Sequence, residues 1–203
     1  LVQDGSITKT LSGNRGITLG DIQYPRAIYT LWSAAEREAI GIYEVVFDNT
    51  NKKDEAYYNN TNQSFAFADG VATASFGTAT PKLLEDRNEV DEAGEPLLDD
   101  NGDQVVTKGL KTKHKDIIKQ QASGLLTPTD WYVIKATDVE SYSVPSAITT
   151  YRANIRTKSN DMEVLIDACS TVDELAALYE YVNTGTEEEP VMERPLGEFP
   201  EAV

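Results

Sequence analysis

One cysteine and one histidine in 203 residues remove several chemistries at the outset. The single thiol, Cys169, forms no internal disulfide and no thiolate metal cluster. The single imidazole, His114, rules out a histidine-rich metal site. Any Ser-His-Asp or Cys-His catalytic arrangement has to be built on it. Basic residues are scarce beside acidic ones: 18 Lys and Arg against 34 Asp and Glu give a formal charge of -16. Phosphate backbones are held by clustered Lys and Arg, so the composition argues against nucleic acid as a partner, and an anionic membrane surface is disfavoured on the same ground. No apolar run approaches the ~18 residues of a membrane span. The first residues, LVQDGSITKT, carry no charged-then-apolar signal pattern.

The charge that is present is unevenly spread. Glu85 to Asp103 holds nine acids and one base, and Glu187 to Glu201 holds six acids and one base. The rest of the chain is nearly balanced. The two acidic segments therefore read as solvated appendages on a globular body. Domain expectations follow: an extended arm at 1-30, a small α+β domain at 31-83, an acidic hairpin insertion at 84-107, a helical domain at 108-182 and an acidic tail at 183-203.

Within the arm, β-branched residues alternate with polar ones between glycines, a pattern of short strands. Tyr24-Pro25 marks an extended corner, because the residue before proline avoids the α region. Ser33 with Glu36 is a capping box that opens a short helix, and Gly41 ends it. Trp32, just ahead of the cap, is placed to staple back on that helix. IYEVVF (42-47), QSFAFA and VATASFG are strand-like. Asp69-Gly70 between the last two is a two-residue hairpin signal. Residues 42-77 thus read as a small antiparallel sheet packed on the 33-40 helix.

The acidic segment 84-107 contains two similar turns, DEAGEP and DDNGDQ, and reads as a protruding meander or a flexible hairpin, with disorder as the alternative. Asp99-x-Asn101-x-Asp103 has the start of a calcium loop, but glycine falls at the wrong place and the twelfth position is Leu110 instead of an acid. From Lys108 the period becomes helical, with Leu110, His114, Ile117, Ile118, Ala122 and Leu125 on one face. This helix is expected to run to about Ser123. Thr127, Pro128 and Asp130 then read as the N-cap, N1 and N3 of a fresh helix. Trp131 is expected to fill the angle between the two helices, worth about 3 kcal/mol. A further helix is expected with Pro145 at N1, bearing Ile148, Tyr151 and Ile155. Asn160-Asp161 reads as the cap of another, and Thr171 with Glu174 as a capping box. Arg152 and Arg156 share one face, for an anionic partner or for local acids. The fold class expected is α+β: a small antiparallel sheet with one helix in the N-terminal half, and a short-helix cluster in the C-terminal half.

LLTPTDWYV followed a dozen residues later by VPSAITTYRANIR resembles a recurrent segment of tailed-bacteriophage proteins. It occurs in tail-assembly-chaperone-like domains and in small proteins associated with tail fibres. The matching positions are Leu125, Leu126, Thr129, Asp130, Trp131, Pro145, Tyr151, Arg152 and Arg156. YPRAIYTLWSAAEREAIGI is similar to the N-terminal part of such proteins, and the two blocks cover about half the chain. The resemblance implies a non-enzymatic virion component of the tail, made in the bacterial cytoplasm, acting as a fibre-associated or adaptor protein. It implies no cofactor or metal. Its partners would be other tail or fibre proteins and further copies of itself. Trp131, Asp130, Tyr151, Arg152, Arg156, Trp32 and Tyr24 would be its structural and interface residues. A soluble tail or fibre assembly chaperone, or a head decoration or connector protein, is the alternative expectation; a cell-wall hydrolase built on His114 ranks below both.

Overall fold

A computed structural model describes residues 1-201; residues 202 and 203 of the expected tail lie outside the described residues. The fold is α+β, with short strands throughout and the long helices in the second half. The chain divides into two compact units, Leu1-Thr80 and one that begins at Pro81.

The first unit opens with two hairpins, β1 (Val2-Gln3) with β2 (Ser6-Ile7) and β3 (Ile17-Leu19) with β4 (Ile22-Tyr24). They lead into two short helices, α1 (Ile28-Leu31) and α2 (Ala34-Glu38). Residues 1-30 are therefore not a free arm. Ile17 and Ile28 are buried with Ile42, and Leu1, Leu11, Leu19, Tyr24, Tyr29, Trp32 and Ile40 pack around them. Enough β-branched surface converges there to offset the ordering of a glycine-rich stretch. The capping box is present: Ser33 accepts the Glu36 amide, and the Glu36 carboxylate accepts the Ser33 amide at 2.8 Å. Yet α2 buries none of its own residues; the buried cluster is instead made by Ile17 of β3, Ile28 of α1 and Ile42 beyond α2, and not by the expected packing of a sheet on the 33-40 helix.

Asp69-Gly70, both at positive φ, turn β7 (Ser64-Ala68) back on β8 (Val71-Ser75) in antiparallel register, with Ala68 opposite Val71. The third strand, β5 (Val45-Asp48), joins β8 in parallel, a correction to an all-antiparallel sheet. The connection from 49 to 63, which includes β6 (Tyr58-Asn59), leads from β5 to β7 and leaves one strand position between them, and the hairpin then returns β8 into that gap, parallel to β5. One face carries Phe47, Ala74 and Phe65 in a single cross-strand row. Strand β9 (Thr80-Pro81) lies at the junction of the two units.

In the second unit the acidic segment is ordered by its own backbone. Strand β10 (Arg87-Asn88) pairs with β11 (Val106-Thr107) as a stem. Above it the amide of Leu97 donates to the carbonyl of Glu89, that of Val105 to Leu97, and that of Glu89 to Val105. These residues are eight apart, so the bonds close a three-membered ring. Each intervening turn is built alike: Asp91 and Asp99 each accept two amides on Oδ1 at 2.8 and 3.0 Å, and Gly94 and Gly102 both sit at φ 85°. The Asp99 carboxylate is thus committed to its turn.

The carbonyls of Glu89, Leu97 and Val105 converge on the Gln104 Nε2, at 2.7, 3.1 and 2.9 Å. Gln104→Ala leaves them without that donor. We expect a local loss of about 2 kcal/mol and roughly thirtyfold faster amide exchange at residues 89, 97 and 105. Exchange in the long helices should be unchanged.

The long helices are α3 (Leu110-Leu126), α4 (Asp130-Asp138) and α5 (Ser146-Ala168), followed by α6 (Val172-Ala177). Helix α3 runs through Gly124 to Leu126 instead of ending near Ser123. Helix α5 is continuous through Asn160 and Asp161 for 23 residues. Its stripe of Ile148, Tyr151, Ile155, Ser159, Met162 and Ile166 is buried, whereas Asn160 and Asp161 sit on the exposed side. Packing along one unbroken stripe outweighs their preference for a cap.

The expected tail is also partly docked. After the hairpin of β12 (Val182-Asn183) and β13 (Met192-Glu193), Leu196 is fully buried, and Phe199 packs against Ala122, Tyr151 and Ile155.

Candidate functional site

Helices α3 and α5 run side by side, antiparallel, laced by lysines spaced one turn apart. Lys111 pairs with Glu85 and donates to the Asp167 carbonyl at 2.9 Å. Lys115 pairs with Asp167 at 2.7 Å and Lys119 with Glu163 at 3.2 Å. The apolar spacing of α3 sets its lysines on the other face of the helix. The matching four-residue spacing of Glu163 and Asp167 was the signal that could have found the pairing.

At the other end of this helix pair lies the corner Leu125-Asp130. A helix end leaves carbonyls without partners, and here α5 supplies them. The Arg152 guanidinium donates to the Leu126 carbonyl at 3.0 Å and to the Thr129 hydroxyl, and it pairs with Asp130 at 2.8 Å. The Tyr151 hydroxyl reaches the Leu125 carbonyl at 3.5 Å. Thr127 does not cap: its hydroxyl donates back to the Ser123 carbonyl at 2.8 Å, and a 3-10 turn at Thr127-Thr129 passes directly into α4. The corner is held by a buried arginine and not by an apolar wedge.

That corrects the expectation for Trp131. It is 50 % exposed, stacked on Tyr132 with ring centroids 3.8 Å apart. Helix α4 buries none of its residues. Ile134, one turn beyond Trp131, is 60 % exposed, and Val133 and Val139 are exposed as well. Lys135 lies over the Tyr142 ring at 4.3 Å. The corner presents α4 as a helix with Trp131 and Ile134 exposed one turn apart.

The other expected site residues divide between core and surface. Tyr151, Arg152 and Asp130 come together at the corner, where the first two are buried and closed to a partner. Arg156 is exposed and donates to the Arg152 carbonyl at 3.3 Å. It borders an open groove of about 490 Å³ along α3 and α5 that also receives Asp130, Lys119 and Glu163. Tyr24 and Trp32 lie in the first unit, edge to face at 5.8 Å, half-buried against the cluster of Ile17, Ile28 and Ile42.

The one histidine and the one cysteine both lie in the helical unit. The His114 Nδ1 lies 2.8 Å from the Tyr179 hydroxyl. Cys169 is buried, and burial pushes its thiol above the usual range. Among the described residues no three His, Cys, Asp or Glu side chains form a metal-holding group, and no helix is long and apolar enough to cross a membrane.

Burial holds the His114 imidazole below its ordinary value of 6.5. The unfolded chain then takes up this proton more readily than the folded one, so stability is full above about pH 6.5 and falls as pH drops through the folded value. Removing His114 as His114→Gln should flatten the dependence. The difference between wild type and variant in urea midpoint, compared at pH 7.5 and pH 5, isolates this contribution from that of the carboxylates.

Comparison with protein-family models, with curated proteins and with solved structures finds no match to this chain.

Proposed function

We propose that this chain is a non-enzymatic structural component of a tailed-phage virion. It belongs to the tail as a fibre-associated or adaptor protein and works through contacts with other tail or fibre proteins and with copies of itself. The observation that carries the reading is the uncovered face of α4. Trp131 and Ile134 stand exposed one turn apart on a helix that buries nothing of its own, and Val133 and, just past the helix end, Val139 are exposed as well. An exposed tryptophan beside an exposed aliphatic side chain is what a protein contact uses as an anchor. The residues that carry the phage resemblance hold that face in place, Arg152 above all.

Mass spectrometry of purified particles tests the assignment. The polypeptide is expected in every preparation, in fixed ratio to the tail proteins. Recovery only from the soluble lysate, with none in the particle, overturns it in favour of an assembly factor.

A further inference from the structure

The segment Arg194-Pro200 sits on the helical unit through few, specific anchors. Leu196 is fully buried, and its amide donates to the Leu178 carbonyl at 3.0 Å. Phe199 lies on the cluster of Ala122, Tyr151 and Ile155. Glu198 accepts from the Tyr181 hydroxyl at 2.6 Å, and the Lys158 ammonium lies over Gly197.

The segment also keeps its own shape. Arg194 donates to the Gly197 carbonyl at 3.0 Å and pairs with Glu198 at 2.7 Å, and the Gly197 amide returns to the Arg194 carbonyl at 2.8 Å. It is a preformed turn that carries its contacts with it.

What ties it to the unit is weak. Every residue from 181 to 193 is exposed, and β12 with β13 is an isolated two-stranded ribbon with two residue pairs, a marginal structure in water. That ribbon shows Tyr181, Val182, Val191 and Met192 to solvent. Opened out, the eleven residues from 183 to 193 span up to ~35-40 Å, about the length of α5.

We infer that the Arg194-Pro200 turn exchanges between two copies of this chain, each seating its turn on the α3-α5 face of the other. The seat accepts the incoming turn with the same contacts that it makes within one chain, so exchange costs little once the ribbon opens. The opened tethers of the two copies lie alongside each other, and the apolar residues that the ribbon exposes become their contact. This holds independently of the virion assignment, because it concerns only the chain and its own copy.

The test uses the full chain in two isotopic forms. Equal amounts of 14N- and 15N-labelled protein are incubated at high concentration. Size exclusion with light scattering then separates monomer from dimer, and a zero-length carbodiimide reagent joins Lys158 to Glu198. The expected result is a dimer that grows with concentration, in which about half of the Lys158-Glu198 crosslinks join a light peptide to a heavy one. A chain that stays monomeric at every concentration overturns the inference. So does a dimer whose Lys158-Glu198 crosslinks all join peptides of one isotope.

Discussion

Arg152→Ala is expected to cost the helical unit about 3 kcal/mol, a large fraction of the stability of an ordinary domain. The side chain is 10 % exposed and is the donor to the Leu126 carbonyl and the Thr129 hydroxyl, as well as the partner of Asp130. Removing it takes from the Leu126 carbonyl one of its two donors, the Thr129 hydroxyl at 2.7 Å being the other, and leaves the Asp130 carboxylate without its cation, and unmade buried bonds cost more than made ones contribute. Asp130 is half exposed, so water screens part of that loss and the figure stays below that of a fully buried pair. Arg152→Lys should recover only part of it, since an ammonium cannot meet three acceptors that are spread to suit a planar fork. The far-UV helical signal in urea reports this unit, which holds all the long helices. A midpoint unchanged in Arg152→Ala would show that the corner is held by something else.

Gly41→Ala is expected to be comparably damaging in the first unit, at about 2-4 kcal/mol. Gly41 has φ 80° and closes α2 in the two-bond pattern of a Schellman end: its amide donates to the Glu38 carbonyl and that of Ile42 to Arg37. Its own carbonyl accepts the Val2 amide at 2.8 Å, so the first strand hangs from the helix end. A Cβ here would press on the Val2 backbone carbonyl, which cannot swing aside as a side chain can. Left-handed strain and the clash therefore add. Trp32 fluorescence in a Trp131→Phe background reads the unfolding of this unit alone.

The devices that act over a few residues were legible in the sequence. The Ser33-Glu36 box, the Gly41 stop, the Asp69-Gly70 turn and the two alike acidic turns all depend on chemistry within one turn of chain. The apolar stripe of α5 was legible too, but Asn160-Asp161 imitated a helix start, because a cap signal does not say which face of a helix it lies on. The parallel entry of β5 depends on where a polar connection leads the chain, and no local pattern encodes that. Trp131 was misplaced for a related reason. A tryptophan after a proline corner fits an apolar wedge as well as it fits an exposed anchor, and the choice is made by Arg152, 21 residues further along the chain. The ring in the acidic segment was half visible: its turns were recognised as similar, but not that their eight-residue spacing lets three backbone strands bond in a cycle around Gln104.

Exposure of Trp131 is the feature on which the functional proposal turns. Trp131→Glu replaces an anchor by a charge at a half-exposed position whose ring contacts are its own helix neighbours Tyr132 and Lys135, so the urea midpoint of the helical unit should move little. The deciding quantity is the amount of this variant, relative to wild type expressed alongside it, in particles purified from infected cells. The prediction is a fall of at least about tenfold, the effect of losing an interface hot spot. Equal incorporation of the two chains would contradict a contact made by α4.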